Sequence, residues 1–440
     1  MKRGIAMAIK ENKPNSLNKF LVIWSGELLS TIGSGLTSFG LGVWMFEKTG
    51  LATTFALTVL CAYLPNILIS PFAGTLVDRW NRRLIMIISD TGDAIVTLVV
   101  VLLLHNDLLE IWHIYLIVGI SAIFSTFQEL AFAAGVTMLV PKKDLARSGG
   151  LMQMGQAIQL TISPILAGLL YAKIGLYGII FIDFITYFFA LTALFLIQIP
   201  QPESNQSTDK NSTGSFWRDT LLGGHYLLSQ KGLLALTLFF IPVNFLLNFP
   251  AVLLGPLVLS FSTTTVYGLI QTVSGIGMIG GSLLMGIWGD KIKNRTRAII
   301  CFVLFSAFGL GLLGIQPKIL WICLGYSIIL FCIPFISGTM QGIFQDKVEP
   351  SVQGRVFAFK SLLSRSLLPL AYLMAGILAD KIFNPLLMPN GKLSKGTIGS
   401  IIGIGPGRGI GLMFIISAVF LFFVCIMAWK NTDINSTETG

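Results

Sequence analysis

Twelve stretches of this chain are apolar for the length a helix needs to cross a lipid bilayer, about 20 residues each. They run over Phe20–Phe46, Thr53–Leu76, Leu84–Leu104, Trp112–Val136, Gly150–Ala172 and Gly175–Ile199, then Leu233–Leu259, Val266–Trp288, Ala298–Ile315, Ile319–Gly342, Val356–Ala379 and Gly409–Trp429. Of the 440 residues, 54% are hydrophobic and 11% charged, where soluble domains carry roughly 25% charge. No soluble core hides that much apolar surface, so the solvent for this fold is lipid. The first run is too long for a signal-peptide core and no small-residue cleavage site follows it, so a removable leader is not expected.

The net charge of +10 reports topology rather than an anionic partner. The N-terminal tail, the C-terminus and the loops after the even-numbered spans hold about 21 of the 30 Lys and Arg residues, and the opposite loops about 7. Positive residues stay inside, so both termini are expected in the cytoplasm. No basic stripe with interleaved aromatics lies outside the spans, so nucleic acid is not an expected partner. Cys61, Cys301, Cys323, Cys332 and Cys425 all fall in apolar spans without a Cys-x-x-Cys pair, and His105, His113 and His225 are scattered. Neither disulfides nor a metal site are expected.

The chain repeats itself. Gly74-Thr-Leu-Val-Asp78-Arg79-Trp-Asn-Arg82-Arg83 closes the second span, and Gly286-Ile-Trp-Gly-Asp290-Lys291 closes the eighth, separated by close to half the chain. Arg147 and Arg355 follow spans 4 and 10 at nearly the same offset, and Pro164 is echoed by Pro369. Equal offsets in equal orientation imply two parallel repeats of six spans. The organisation read from this is a six-helix bundle over residues 1–200, a cytoplasmic linker over 201–232 and a second bundle over 233–440. The linker opens with the polar QPESNQSTDKNSTG. Trp217, Leu221, Leu222, Tyr226 and Leu227 then have the spacing of a short amphipathic helix at the membrane surface. Asp380–Arg408 is a long loop on the external side, of a length that is often a lid.

The Gly74–Arg83 phrase resembles motif A of the major facilitator superfamily. Finer detail resembles its drug-efflux branch, the macrolide-efflux-like proteins, at WSGELLSTIGSGLTSFGLGVWMFEKTG, VPKKDLARSGGLMQ, GRVFAFKSLL and GIGPGRGIGL. The resemblance implies an all-α membrane protein of twelve helices in two parallel six-helix repeats. It also implies a loop that latches the cytoplasmic face: Gly74 permits close helix approach, Asp78 caps a neighbouring helix N-terminus, and Arg79, Arg82 and Arg83 pair with carboxylates such as Asp90 or with anionic lipid. Asp290 and Lys291 keep the pattern more loosely, after Gly286. The alternative is a basic loop that only fixes topology. Gly155, Pro164 and Gly168 in span 5 resemble the family's antiporter motif, a helix bend at the central seam. Ser163 and Ala167 stand where glycine is commoner, so ordinary small-residue packing remains open beside it.

Ionisable groups inside spans are expensive, so each is a functional candidate. Glu27 in span 1, on a polar background of Ser30, Thr31, Ser34, Thr37 and Ser38, and Glu129 in span 4 are the preferred proton-carrying or cation-binding carboxylates, since the resembling fold lines its cavity with those spans. Gln153 and Gln156, with Gln159, form a polar stripe that faces either substrate or a neighbouring helix. Asp93, Asp183 and Arg365 are read as structural buried charges. Gly403–Arg408 looks like a nucleotide loop but follows no strand and lacks Lys-Ser/Thr. No Walker sequence is present, so no nucleotide is expected. Nor does any His cluster or nucleophile elbow point to an enzyme.

The expected activity is export of a lipophilic or amphipathic compound by proton antiport, with no cofactor beyond the proton gradient. The chain is expected to act as a monomer among lipids of a bacterial plasma membrane. Uptake by symport and a non-transporting sensor or scaffold are the alternatives.

Overall fold

A computed structural model describes residues 17–141, 144–197, 199, 215–349 and 352–432. Among them eleven helices are long and apolar enough to cross a membrane. Twelve spans and eleven helices are reconciled at one glycine. Helix α5 (Leu145–Leu196) breaks at Gly175, whose φ of 65° and ψ of −172° favour a residue without a Cβ. Its two arms, antiparallel to each other, both pack on α1 (Leu17–Thr49). Gly35 of α1 sits against Ser163 and Gly33 against Asp183, while Gly26 reaches Ala190 and Ala193 and Gly155 reaches Trp24. The chain therefore crosses, reverses at Gly175 and crosses back.

The remaining helices of the first half are α2 (Ala52–Arg79), α3 (Arg82–His105) and α4 (Ile111–Leu139). Asn81 caps α3 by accepting from the Leu84 amide at 3.2 Å, and Glu110 and His113 form a reciprocal capping box on α4. The second half holds α7 (Lys231–Leu259), α8 (Thr264–Trp288), α9 (Arg295–Ile315), α10 (Ile319–Lys347), α11 (Gln353–Arg365), α12 (Leu368–Leu378), α13 (Asn384–Leu387), α14 (Thr397–Ile402) and α15 (Arg408–Lys430). Pro242, Pro250 and Pro256 lie inside α7 without ending it, as transmembrane helices allow when neighbours re-satisfy the freed carbonyls. Span 11 is broken between α11 and α12 at Ser366–Leu367, and continues past α12 in a π turn, Ala379–Phe383.

Two segments are more ordered than the sequence suggests. The external loop contains that π turn, α13 and α14. It is pinned by a small core of Leu387, Ile402 and Leu412, and Arg408, 2% exposed, donates to the Ile402 carbonyl at 2.7 Å and the Gly314 carbonyl at 2.9 Å. The amphipathic segment forms α6 (Ser215–Ser229), which packs on α11: a Cβ on Gly223 would strike the Arg355 backbone and one on Gly224 the Phe359 ring. Leu227 is fully buried there, while Leu222 and Leu228 stay exposed. Residues 201–214 and the side chains of Trp217 and Leu221 lie outside the described residues.

Among the described residues, the two halves share a core at the end of the molecule away from the termini. There Val43, Ala52 and Phe55 of the first half pack with Leu253, Leu257, Tyr267, Ala371, Ala375 and Ile410 of the second. At the end carrying the termini the cores are separate, one built on Phe20, Met86 and Leu139, the other on Leu236, Val303 and Phe344.

Candidate functional site

The seam between the halves stops at mid-membrane. Along α5 and α8, Gly168 packs on Thr264, Gly268 on Pro164 and Gly275 on Thr161, and Thr272 donates to the Thr161 carbonyl at 2.6 Å. Nearer the termini no such contact continues: a Cβ on Gly280 or Gly286 of α8 would meet nothing within 4 Å, and Leu283 is 64% exposed. Along α2 and α12, Tyr63 lies edge-on to Tyr372 at 5.4 Å, and further toward the termini Leu68 and Phe72 are exposed. Phe39 stacks on Tyr267 at 4.9 Å across the halves, and the Phe55 ring packs on Gly255. The result is a cleft open at the termini end and floored by aromatic rings from both halves.

Glu27 is half-buried within the first half, where the Gln128 amide donates to its carboxylate at 2.7 Å. Glu129 is the next residue on α4 and is exposed. It shares a face with Ser125 and Ala133, whereas Trp112, Leu116 and Ile120 form a separate exposed apolar face. A carboxylate turned to lipid is costly, so Glu129 belongs to the wetter of the two faces. Gln153 and Gln156 are exposed on the free part of α5, and Gln159 turns away to donate to the Thr31 carbonyl at 3.3 Å. On the second-half side Arg365, exposed rather than buried, is within electrostatic reach of Tyr63, and the Lys360 ammonium lies 4.4 Å from the Phe344 ring centroid.

Beside Glu27, and inside the first half, lies a second acidic group. Asp93 and Asp183 line a cavity of about 250 Å³ with Ser34, Thr37, Asn66 and Ser121. Thr37 donates to Asp183 at 2.7 Å and Ser34 at 3.3 Å, while the buried Oδ1 of Asp93 has no partner among the described residues. Asp90 is within electrostatic reach of both Glu27 and Asp93. The carboxylates of α1, α3 and the second arm of α5 thus form a file that begins at Glu27.

The repeated basic loops behave differently from the expected pairing. Arg83 does not meet Asp90. It donates to the Leu194 and Phe195 carbonyls at 2.8 and 3.2 Å, closing the end of α5. Arg82 is 9% exposed with its Nε and Nη1 unpartnered among the described residues, and Asp90 Oδ2 is likewise unpartnered. The side chains of Asp78, Arg79 and Asp290 lie outside the described residues. Gly74 and Gly286 meet nothing within 4 Å, and Lys291 is exposed. In span 5 the backbone keeps helical dihedrals through Pro164, and the departure inside α5 is at Gly175. Pro164 and Gly168 lie on the seam against α8, whereas Gly155 faces Trp24 of α1.

Sequence reasoning missed the aromatic floor and Asp380. The rings are spread over four helices with no shared spacing. Asp380 carried one signal, an acid at the exact limit of an apolar run.

Two lobes of membrane helices around a cleft that ends at mid-membrane define a secondary-transporter architecture. The family model described as Major Facilitator Superfamily matches residues 23–372, and the chain belongs to that family. It is 30% identical over 380 residues to Macrolide efflux protein A of Streptococcus pyogenes, covering 83% of this chain and 90% of that one. It is also 30% identical over 337 residues to a protein of the same name from Enterococcus faecalis, covering 73% and 99%. Among solved structures, nucleoside transporter NupG matches with a TM-score of 0.68 at 15% identity over 94% of this chain and all of that one. A bacterial homolog to the human lysosomal transporter Spinster matches with a TM-score of 0.65 at 14% identity, over 97% and 98%. At these identities the structures speak for the fold.

Proposed function

We propose that this protein exports a lipophilic or amphipathic compound, of the macrolide class or a secreted metabolite, in exchange for protons. The observation that carries the reading is the 30% identity to macrolide efflux proteins over 83% and 73% of this chain. With both termini in the cytoplasm of a bacterial cell, the cleft faces inward and takes its substrate from the cytoplasm or inner leaflet. Rings and aliphatic side chains supply the contact surface. Glu27, held by Gln128, and Glu129 carry the exchangeable protons. Protonation drives the cycle only by binding one facing state better than the other. The helix ends at Gly74 and Gly286, where a Cβ would meet nothing within 4 Å, are the surfaces that meet when the inner face closes.

The test is efflux of a fluorescent lipophilic panel and a macrolide from cells lacking their own pumps, with the proton gradient intact and then collapsed. Gradient-dependent efflux is expected from the wild type, falling at least about tenfold in Glu27→Gln. Efflux unchanged in Glu27→Gln removes that residue from coupling. Accumulation in place of efflux overturns the direction.

A further inference from the structure

We infer that Asp380 is the latch that holds the far end of the molecule shut, and that its release is what lets the cleft open on that side. Helix α2 starts at Ala52 behind Leu51, whose side chain offers no cap. The first amides of any helix need partners from outside it. Here they come from the other half. Ala52 N donates to Asp380 Oδ1 at 3.1 Å, Thr53 N to Oδ2 at 2.7 Å, and the Thr53 hydroxyl to Oδ2 at 2.6 Å. A carboxylate at a helix N-terminus also meets the partial positive charge of the helix dipole. Gly376, one turn earlier on α12, allows the approach: a Cβ there would lie 2.9 Å from Thr53 N.

The placement makes this a gate and not only a cap. Asp380 follows α12 in the second half, and α2 belongs to the first. Rocking the halves apart at this end cannot spare the three hydrogen bonds. The strength suits a reversible latch. Asp380 is half-buried, so water reaches both the carboxylate and the freed amides once the end opens. The geometry mirrors what the resemblance implies for Asp78 at the other face. Asp78 ends α2, whereas Asp380 ends the α12 run and caps the start of α2. Asp380 touches no substrate; it positions the two halves.

The experiment measures spin-label distances in the full-length protein in nanodiscs, with the five native cysteines replaced by serine. One label pair is Leu108→Cys with Lys318→Cys at the far end, and the other is Thr75→Cys with Ile287→Cys at the termini end. All four positions are exposed. In the parent the far-end pair is expected in one short population. Asp380→Ala is expected to raise the long far-end population about tenfold relative to the short one, with matching shortening at the termini end. Asp380→Asn, which keeps the shape but not the charge, and Thr53→Val, which removes one donor, are expected to give smaller shifts in that order. A folded Asp380→Ala with both distributions unchanged overturns the proposal, as does a lower melting temperature without any population shift. If Asp380→Ala does not fold, Asp380→Asn and Thr53→Val decide it by the same criterion. The readout needs no substrate, so it is independent of what the protein carries.

Discussion

Asp183 is 6% exposed inside an apolar span, and its neighbours explain how it is tolerated. Thr37 and Ser34 of α1 both donate to it, and Gly33 leaves room beside it. Interhelical hydrogen bonds of this kind in membranes are worth about 0.6 kcal/mol on average, and up to about 1.7. Thr37→Val is therefore expected to lower stability by about 1 kcal/mol, and Asp183→Leu by about 2, since it removes both bonds and adds bulk beside α1. Thermal unfolding in detergent measures both. A Thr37→Val protein as stable as the parent would mean that the bond is not held in solution. At this scale the sequence shows which acids are buried but not who meets them. Glu27 is plainly an acid in a span, yet its partner Gln128 is 101 positions away, and only the rotation of α1 and α4 about their axes brings the two together. The same rotation sends Gln128 to Glu27 and turns Glu129, one residue on, to the open face. Arg83 shows the limit from the other side: an arginine near a carboxylate in sequence goes instead to the carbonyls of a distant helix end.

Helices were legible wherever apolar length alone decides them, and less so wherever the backbone departs from a helix. The break at Gly175 fell where the sequence placed a boundary between spans, because a glycine at the junction accepts positive φ. The break at Ser366–Leu367 lies inside one apolar run, marked only by Pro369 in the first turn of α12. The small residues of span 5 were visible, but their partner was not. Pro164 and Gly168 exist for α8, whose Gly268 and Gly275 complete the contact. This gives a prediction about the element pair. Gly268→Leu forces a side chain into the Pro164 carbonyl, so the helices must separate, at a cost of about 1–3 kcal/mol for overpacking. Gly280→Leu, further along the same helix, enters open space and is expected to leave stability unchanged. Comparing the two melting temperatures checks it. Equal losses would show that α8 is packed along its whole length and that the seam does not end at mid-membrane.

For the molecule as a whole, two halves with separate cores at one end and a common core at the other are hinged bodies. The twofold repeat in the sequence announces the halves, and the direction in which they lean is set by contacts no periodicity encodes. The register of the seam says how they would meet on leaning the other way. Thr161 faces Gly275, and Pro164 faces Gly268, on antiparallel helices. Continued toward the termini, that register brings Gln153 of α5 opposite Leu283 of α8, both now exposed. A Gln153→Cys, Leu283→Cys pair in the cysteine-replaced background should cross-link slowly at rest, because a disulfide needs Cα atoms within about 7 Å. In Asp380→Ala the same pair should cross-link several-fold faster, since release of the far end lets the termini end close, and the oxidised protein should stop transporting until it is reduced. Rapid cross-linking in the resting protein would place the two helices already in contact at the termini end. A rate indifferent to Asp380 would separate the far-end latch from the motion of α5 against α8, leaving the two ends of the molecule to move independently.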